Sequence, residues 1–370
     1  MIMDVIFVFG LSAIICFSVV AAASFFGLAG GSEQFVAVQS SHTRPTPRLG
    51  GIAIFASLFA YSIFIVPEGE SLSEGLVIAC SSLFFVGLLE DRRYEISPVL
   101  RLSSVILASA VAIMIFDIWI TRTDVPLLDE IVPYAVIGIP ITLFAVTGLT
   151  HAFNLVDGVN GMAGIVALAS ISGLYSISQK ADVLIVSHFC LILGSSILGF
   201  LIFNFPKSWL FLGDAGAYSI GFILSWMLIV TLTQSDDVSP WALLLIVFWP
   251  IADTLLAIWR RTTLEKSAMR PDRLHVHQLV MRSLEIFVLG RNRRELSNPL
   301  TTVILAPFIV LPVATGVLFW NKPLAALCSF LVLIVLFFTS YIAFMKLSRR
   351  FGRVSGIAKI ERIPELNLDV

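Results

Sequence analysis

Four short segments of the chain combine carboxylates, amides, glycines and basic side chains at an unusual density. They are GLLEDRRYEISP at 87–98, HAFNLVDGVNGMAG at 151–164, NFPKSWLFLGDAGAYSIG at 204–221 and RPDRLHVHQLVMR at 270–282. Carboxylate and amide oxygens are the ligands that Mg²⁺ prefers, and this ion usually shares them with substrate phosphates. Glycines let a backbone approach a phosphate, while Arg and His neutralise charge that develops in phosphoryl transfer. The segments therefore predict Mg²⁺-assisted transfer between phosphates.

Each segment also has an ordinary structural interpretation. Glu90 and Asp91 precede two arginines and are compatible with a charged turn. The Asn and Asp residues of 154–160 are compatible with a helix cap and turn, although capping explains one of them and not the whole run. His275 and His277, flanked by Arg and Asp, indicate an anion or phosphate site, with a metal-binding pair as the alternative.

Two further acids lie at or inside apolar windows. Asp214 is partly explained by helix capping, but an acid at the edge of a bilayer is a functional candidate. Asp253 is interpreted as an ion-pair partner of Arg260 or Arg261. The chain has no Walker A lysine loop, no GxGxxG and no motif for a serine or thiol nucleophile. ATP hydrolysis and nicotinamide binding therefore have no support.

The composition defines the environment in which these segments must work. Hydrophobic residues make up 58% of the 370 residues and charged residues 13%, with a mean hydropathy of +0.95. That charged share is about half of what globular proteins carry. Most of the surface must face lipid, which excludes a soluble fold, a disordered chain, a secreted disulfide scaffold and a nucleic-acid-binding protein.

Apolar windows recur along the whole chain and predict membrane spans. A helix needs ~20 apolar residues to cross ~30 Å of hydrocarbon, and helices satisfy their own backbone groups in lipid. The windows are 5–32, 49–67, 74–89, 99–120, 131–156, 158–179, 183–206, 214–232, 239–259, 296–321 and 323–345. We predict an all-α integral membrane protein with about eleven transmembrane helices. Residues 1–346 form one multi-span catalytic domain in this prediction, and 347–370 form a basic cytoplasmic tail.

The loop charges predict the orientation. With eleven spans, 21 of the 24 lysines and arginines fall on one side of the membrane. The positive-inside rule makes that side cytoplasmic, with the N-terminus outside and the C-terminus in the cytoplasm. All four polar segments lie on this side, so we expect one cytoplasmic cleft to collect them as an active site.

The order of the motifs resembles that of the polyprenyl-phosphate N-acetylhexosamine-1-phosphate transferases. The resemblance extends from about His42 to Arg282 and rests on Asn-Leu-Val-Asp-Gly-Val-Asn-Gly, Phe-Leu-Gly-Asp-Ala-Gly and Pro-Asp-Arg-Leu-His-Val-His. The last motif is more similar to the GlcNAc-transferring, O-antigen-initiating branch than to the muramoyl-pentapeptide branch. The resemblance implies a multi-pass enzyme of the bacterial inner membrane that forms the first lipid-linked intermediate of a cell-surface polysaccharide such as O-antigen lipopolysaccharide.

The same resemblance implies a reaction and its participants. Undecaprenyl phosphate attacks the β-phosphate of a UDP-N-acetylhexosamine, which gives the lipid-diphospho-sugar and UMP; direct attack and an enzyme intermediate both stay open. Mg²⁺, or Mn²⁺ in its place, is the implied cofactor. The implied catalytic residues are Asp91, Glu90 and Asp157, and the implied metal ligands are Asp214 and Asp157. The implied substrate-binding residues are Asn154, Asn160, Arg101, Arg273, His275 and His277.

The chain departs from the family pattern at four positions. Glu90 replaces an aspartate, Asn160 replaces a second acid, and Gln278 replaces a third histidine. Val99 stands where a lysine is common, which leaves Arg101 to supply positive charge. These changes are compatible with a different donor sugar, so GlcNAc, GalNAc and 6-deoxy N-acetylhexosamines all stay open.

The alternative function is a secondary transporter of an anionic substrate. Transporters place ionisable groups near the bilayer midplane, often beside broken helices. Here the acids gather at cytoplasmic helix ends, which favours the transferase. Membrane lipid is an expected partner, the basic tail is expected on anionic headgroups or a protein partner, and the oligomeric state stays open, with a homodimer as one option.

Overall fold

The computed structural model describes residues 1–25, 46–66, 71–92, 94–263, 275–290 and 293–354, and this part of the chain is helical without strands. It contains helices α1 to α14 and one π-helical turn, Glu285–Leu289, after α12. The helices are Ile2–Phe25, Gly50–Phe64, Ser71–Asp91, Pro98–Phe116, Pro126–Asp129, Ala135–Val156, Met162–Lys180, Leu184–Asn204, Gly213–Gln234, Pro240–Ile246, Phe248–Thr263, Val276–Leu284, Arg294–Leu318 and Pro323–Val354.

The predicted all-α membrane fold is confirmed, with a correction to the number of full spans. The described part of each of the eleven windows contains a helix or a helix pair. Among the described residues nine helices are long and apolar enough to cross a membrane, and ten spans result if the bent pair α10–α11 counts as one. Helix α2 has 15 residues and so measures about 22 Å, less than the ~30 Å hydrocarbon core. The orientation stays a prediction from charge.

The predicted boundary between membrane domain and tail lies inside a helix. Helix α14 passes residue 346 and continues to Val354. Residues 355–370, which make up the rest of the predicted basic tail, lie outside the described part of the chain.

Helix α9 forms the centre of the molecule. Its most apolar 18-residue window is completely buried, and α2, α3 and α6 pack along it. The sequence permits this because α9 is apolar on every side, as expected of a helix surrounded by other helices. Its hydroxyl groups do not need outside partners, since Ser219, Ser225 and Thr231 each donate to the carbonyl four residues earlier.

Small residues let neighbouring backbones reach the first turn of α9. A Cβ added to Gly51 of α2 would lie 2.6 Å from Gly216 Cα, and one added to Gly87 of α3 would lie 2.6 Å from Ala215 Cα. Close backbone approach of this kind is characteristic of helix contacts inside membranes. It brings the C-terminal end of α3, which carries Glu90 and Asp91, to the N-terminal end of α9.

The segment before α2 is tied to the segment before α9 by main-chain hydrogen bonds. Phe211 N–H donates to Pro47 O at 2.9 Å, Gly50 N–H donates to Phe211 O at 2.8 Å, and Gly51 N–H donates to Leu212 O at 2.8 Å. Arg48 is therefore held beside the start of α9 by the backbone of the residues on either side of it.

The chain bends sharply between α10 and α11. The angle between them is 82°, at a break after Ile246. Helix α10 packs on α13 and α14, whereas α11 packs on α6, and α12 packs on α13. This arrangement brings the start of α12 close to the loop between α6 and α7.

Candidate active site

Asp91, the last residue of α3, caps the central helix. Its Oδ1 accepts a hydrogen bond from Asp214 N–H at 2.8 Å and its Oδ2 accepts one from Ala215 N–H at 3.0 Å. These N–H groups belong to the first turn of α9 and have no partner inside the helix, and the helix dipole favours an anion there. The Asp91 side chain is only 1% exposed. Its position is thus set by the backbone of α9.

Gly213 makes this contact possible. Its φ is +78°, and an added Cβ would lie 2.5 Å from Asp91 Oδ2. Both the left-handed backbone conformation and the close approach of the carboxylate favour glycine at this position.

Asp214 joins three segments that are far apart in the sequence. Asn154 Nδ2, from the end of α6, donates to Asp214 Oδ1 at 2.6 Å. The Arg48 guanidinium lies 3.6 Å from Asp214 Oδ2 and 3.6 Å from Asp91 Oδ1. Three of the predicted site residues, Asn154, Asp91 and Asp214, therefore form one contiguous group.

Asp157 lies at the C-terminal end of α6 and belongs to the same group. The backbone N–H of Gly213 hydrogen bonds to its carboxylate. Burial raises the pKa of Asp157 to about 6, with Arg48 acting in the opposite direction and Asp214 in the same one. The raised pKa shows that this carboxylate sits where a negative charge is costly.

Glu90 and Arg101 form a separate pair beside this group. Arg101 Nη2 lies 2.7 Å from Glu90 Oε1 and also donates to Ile96 O at 3.2 Å. Glu90 Oε2 is buried without a hydrogen-bond partner among the described residues. Arg101 is thus bound to an acid of the protein, and its role in substrate binding stays a prediction.

Arg48 is the cation that the sequence interpretation missed. Burial opposes its charge, yet Asp214, Asp91, Asp157 and Glu90 together raise its pKa. In the sequence it was only one of the 21 basic residues that predict the orientation. The feature of the sequence that could have identified Arg48 is its position in Arg-Pro-Thr-Pro-Arg-Leu-Gly-Gly, at the start of the short helix α2.

The two histidines lie together at the start of α12, where His275 directly precedes the helix and His277 belongs to its first turn. The rings of His275 and His277 are stacked, with centroids 5.7 Å apart and an interplanar angle of 14°. His275 Nδ1 lies 2.8 Å from Asp253 Oδ2. Asp253, interpreted from the sequence as an ion-pair partner of Arg260 or Arg261, does interact electrostatically with Arg260, but the bend before α11 also turns its carboxylate toward the start of α12.

His277 contacts the loop that follows α6. Its ring lies so close to Gly158 that a Cβ added there would overlap Nε2. Burial lowers the pKa of His277 to about 4, against the attraction of Asp253 and with the repulsion of His275. His277 is therefore neutral near pH 7.

Asn160 is used to anchor its own loop. Its N–H donates to Asn298 Oδ1 at 2.7 Å, and its Nδ2 donates to Pro206 O at 2.8 Å. Thr302 Oγ1 donates to Asn160 O at 2.7 Å, and Gly161 N–H donates to Asn204 Oδ1 at 2.7 Å. The backbone and the Nδ2 group of Asn160 thus have protein partners, whereas its Oδ1 is buried without a hydrogen-bond partner among the described residues, and substrate binding by Asn160 stays a prediction. Arg273 lies outside the described residues.

The described residues fit a hard divalent cation in charge and donor type. Four carboxylates, from Glu90, Asp91, Asp157 and Asp214, face the two guanidinium groups of Arg48 and Arg101, which leaves an excess of negative charge. Mg²⁺ binds to proteins through one or two carboxylates and keeps several waters or phosphate oxygens. Among the described residues, no three His, Cys, Asp or Glu side chains are already arranged around one point as metal ligands.

Comparisons with known proteins identify the relatives of this chain. The model of glycosyl transferase family 4 matches residues 74–232, a segment that begins in α3, ends in α9 and contains Asp91, Asp157 and Asp214. The chain is 27% identical over 243 residues to the probable undecaprenyl-phosphate N-acetylglucosaminyl 1-phosphate transferase of Bacillus subtilis (strain 168).

Two enterobacterial proteins match over a similar length. The undecaprenyl-phosphate alpha-N-acetylglucosaminyl 1-phosphate transferase of Escherichia coli (strain K12) is 29% identical over 252 residues, and that of Salmonella typhi is 30% identical over 256 residues. In all three comparisons the match covers 65% of this chain and 67% of the relative.

Proposed function

The chain belongs to glycosyl transferase family 4, and on that basis we propose that it transfers N-acetylhexosamine 1-phosphate from a UDP-sugar to undecaprenyl phosphate. The relatives named above carry that lipid acceptor and N-acetylglucosamine in their names. The observation that carries the proposal is the convergence of Arg48, Asp91, Asn154 and Asp214 at the N-terminal end of the buried central helix.

The chemistry is a phosphoryl exchange. An oxygen of the lipid phosphate forms a bond to the β-phosphorus of the UDP-sugar. The bond from that phosphorus to the bridging oxygen breaks, and UMP leaves with the electron pair. A phosphate monoester is already largely ionised near pH 7, since its second pKa is about 6. The acceptor therefore does not need a strong base.

Asp91 fits an orienting role better than that of a free base. Both of its oxygens accept hydrogen bonds from backbone N–H groups of α9, so the helix fixes the orientation of the carboxylate. Arg48 is 47% exposed at its side chain while contacting Asp91 and Asp214. A guanidinium in that position can neutralise phosphate oxygens without leaving its backbone anchor.

We propose Mg²⁺ as the cofactor, with Mn²⁺ as a substitute, held by Asp214 and Asp157. When bound, such a cation neutralises the negative charge of the diphosphate. Asn154 fixes the orientation of Asp214 through its 2.6 Å hydrogen bond. The bacterial relatives support a location in the inner membrane. The role proposed there is to start a cell-surface polysaccharide such as O-antigen.

The secondary transporter is less well supported. The bent pair α10–α11 is the feature it would share with transporters. However, the acid on that pair, Asp253, is occupied by His275, and the remaining acids of the site lie at helix ends. Substrate accumulation in proteoliposomes without UMP formation would favour this alternative.

The direct test is UMP release by the purified protein with undecaprenyl phosphate, Mg²⁺ and a panel of UDP-N-acetylhexosamines. We expect release with one donor, loss of release in EDTA, and recovery on adding Mg²⁺ or Mn²⁺. Asp236→Asn, a change in the loop after α9, serves as the matched control and should leave turnover unchanged. No release with any donor, from protein shown to be folded, would contradict the proposal.

A further inference from the structure

Asp253 is a buried acid that the proposed phosphate and metal contacts do not use. It lies on α11 and its side chain is 1% exposed. A buried carboxylate is costly unless hydrogen bonds compensate for the lost hydration. Asp253 meets this need at the start of α12, where its Oδ2 lies 2.8 Å from His275 Nδ1 and its Oδ1 accepts Val276 N–H at 3.4 Å.

These contacts determine the orientation and the tautomer of the His275 ring. A carboxylate at Nδ1 places the proton of the neutral ring on that nitrogen and leaves the lone pair on Nε2. The same carboxylate accepts a hydrogen bond from Val276 N–H. This N–H belongs to the first turn of α12 and has no partner within the helix. The side chain of His275 does not itself cap α12 by a hydrogen bond. Asp253 thus fixes both the ring and the backbone that carries it.

The arrangement continues from His275 to the loop after α6. His277 stacks on His275 and its ring lies against Gly158, the residue after Asp157. The His277 side chain is buried, and neither ring nitrogen has a hydrogen-bond partner among the described residues. A buried polar ring without a hydrogen-bond partner is costly, so its place against the loop that carries a proposed metal ligand indicates a functional role.

Arg260 contributes differently to this region. Its guanidinium lies 5.4 Å from the centre of the Tyr341 ring on α14. Arg260 also acts on Asp253 electrostatically, and the hydrogen bond to the His275 ring comes from Asp253.

We propose that Asp253 is a positioning residue: it holds His275, and through ring stacking His277, against the loop 157–161, so that the histidine pair meets the sugar-diphosphate donor. This inference rests on the proposed function. In this proposal the bend between α10 and α11 places the Asp253 carboxylate beside the start of α12.

The test combines a spectroscopic measurement that needs no substrate with steady-state kinetics. The chain has five histidines, so ¹⁵N-histidine labelling in nanodiscs gives a simple spectrum, and His275→Gln identifies the His275 signals. Asp253→Asn removes the charge and keeps the shape. Thr254→Val changes the neighbouring residue on the same helix and is the matched control.

We expect Asp253→Asn to shift the His275 ring signals and to lower kcat/KM for the UDP-sugar about 10- to 100-fold, the size of effect that small misplacements cause. KM for undecaprenyl phosphate should not change. Thr254→Val should alter neither spectrum nor kinetics. Asp253→Glu, which restores the charge, should recover part of the activity.

Several outcomes would overturn the positioning role. They are unchanged His275 signals in Asp253→Asn, shifted signals with donor kinetics close to wild type, or equal losses in Asp253→Asn and Thr254→Val. Wild-type protein that releases no UMP would instead overturn the proposed function. The histidine spectra would still decide whether Asp253 holds the ring.

Discussion

At the start of α9 the carboxylates are held by backbone N–H groups, whereas at the start of α12 the histidines are held by one buried carboxylate. The first region combines Asp91 with the N–H groups of Asp214 and Ala215 and keeps a half-exposed Arg48 at its edge. The second consists of side chains that are almost completely buried, Asp253, His275 and His277. In the acid region the carboxylates are largely buried beside the exposed Arg48, while the histidine region is enclosed and carries a neutral His277.

This difference predicts how each region responds to substitution. A group held by a helix terminus keeps its position when a neighbouring side chain changes, because the N–H groups remain. A group held by one side chain loses its position with that side chain. Changes in the acid region should therefore act mainly through charge, and changes in the histidine region mainly through geometry.

The largest effect is expected from the charge of Asp214. Asp214→Asn keeps the shape but removes the charge opposite Arg48 and Asn154. We expect UMP release to fall about 100-fold or more, in line with the loss of a preorganised electrostatic group, while the melting temperature stays within the experimental error of wild type.

Asp91→Asn removes the charge of this side chain and also weakens its capping of α9. It should also abolish turnover, and in addition it should lower the stability by about 1 kcal/mol, because an amide has a single acceptor oxygen for the two N–H groups of α9. Thermal melting in detergent, run beside the UMP assay, measures both. Wild-type-like turnover in both variants would refute the assignment of the site.

Arg48 should matter more than Arg101. Arg48 interacts electrostatically with four acids, whereas Arg101 is paired with Glu90. We expect Arg48→Gln to lower kcat about 10- to 100-fold and to tighten the binding of Mn²⁺, measured by electron paramagnetic resonance, since a competing cation is removed. Arg101→Gln is the matched control with a smaller change in both. Equal effects of the two variants would show that only the overall charge of the cleft matters.

Gly213 offers a purely geometric test within the acid region. Gly213→Ala forces a left-handed residue to carry a Cβ that would lie 2.5 Å from Asp91 Oδ2, and we expect a loss of about 1–2 kcal/mol in stability together with lower turnover. Gly290→Ala provides the control, since its φ is +84° and an added Cβ would meet nothing within 4 Å. It should lose stability without losing turnover per folded molecule. Equal turnover losses would contradict the role of the Asp91 contact.

Acidification is expected to destabilise the histidine region. The pKa of His277 is lowered to about 4 by burial, against about 6.5 in an unfolded chain. Between these values the unfolded state binds more protons, so this histidine contributes stability above about pH 6.5 that is lost as the pH falls toward 4. Melting temperatures from pH 7 to pH 4.5 should fall less steeply in His277→Gln than in wild type. Parallel curves would contradict the buried, neutral state of His277.

Much of the fold was predictable because the bilayer imposes a simple rule on the sequence. Apolar windows of sufficient length had to become helices, and the described part of each of the eleven contains a helix or a bent pair. The prediction failed where composition carries no information: α2 is too short for a full span, and the 82° bend separates α10 from α11. Neither the length of α2 nor the bend is visible in hydropathy alone.

The sequence by itself determined that Asp91, Asp157 and Asp214 lie at the ends of apolar helices, because charged side chains are excluded from hydrocarbon and collect where a span ends. Only the tertiary structure decided which of them meet. Asp91 reaches the N–H groups of α9 over 123 residues of sequence, Asn160 anchors its loop to a helix 138 residues away, and Asp253 hydrogen bonds to His275 over 22 residues. Such pairings depend on which backbones can approach each other and on how a helix bends. These properties arise from packing, and a linear pattern of residue types does not encode them.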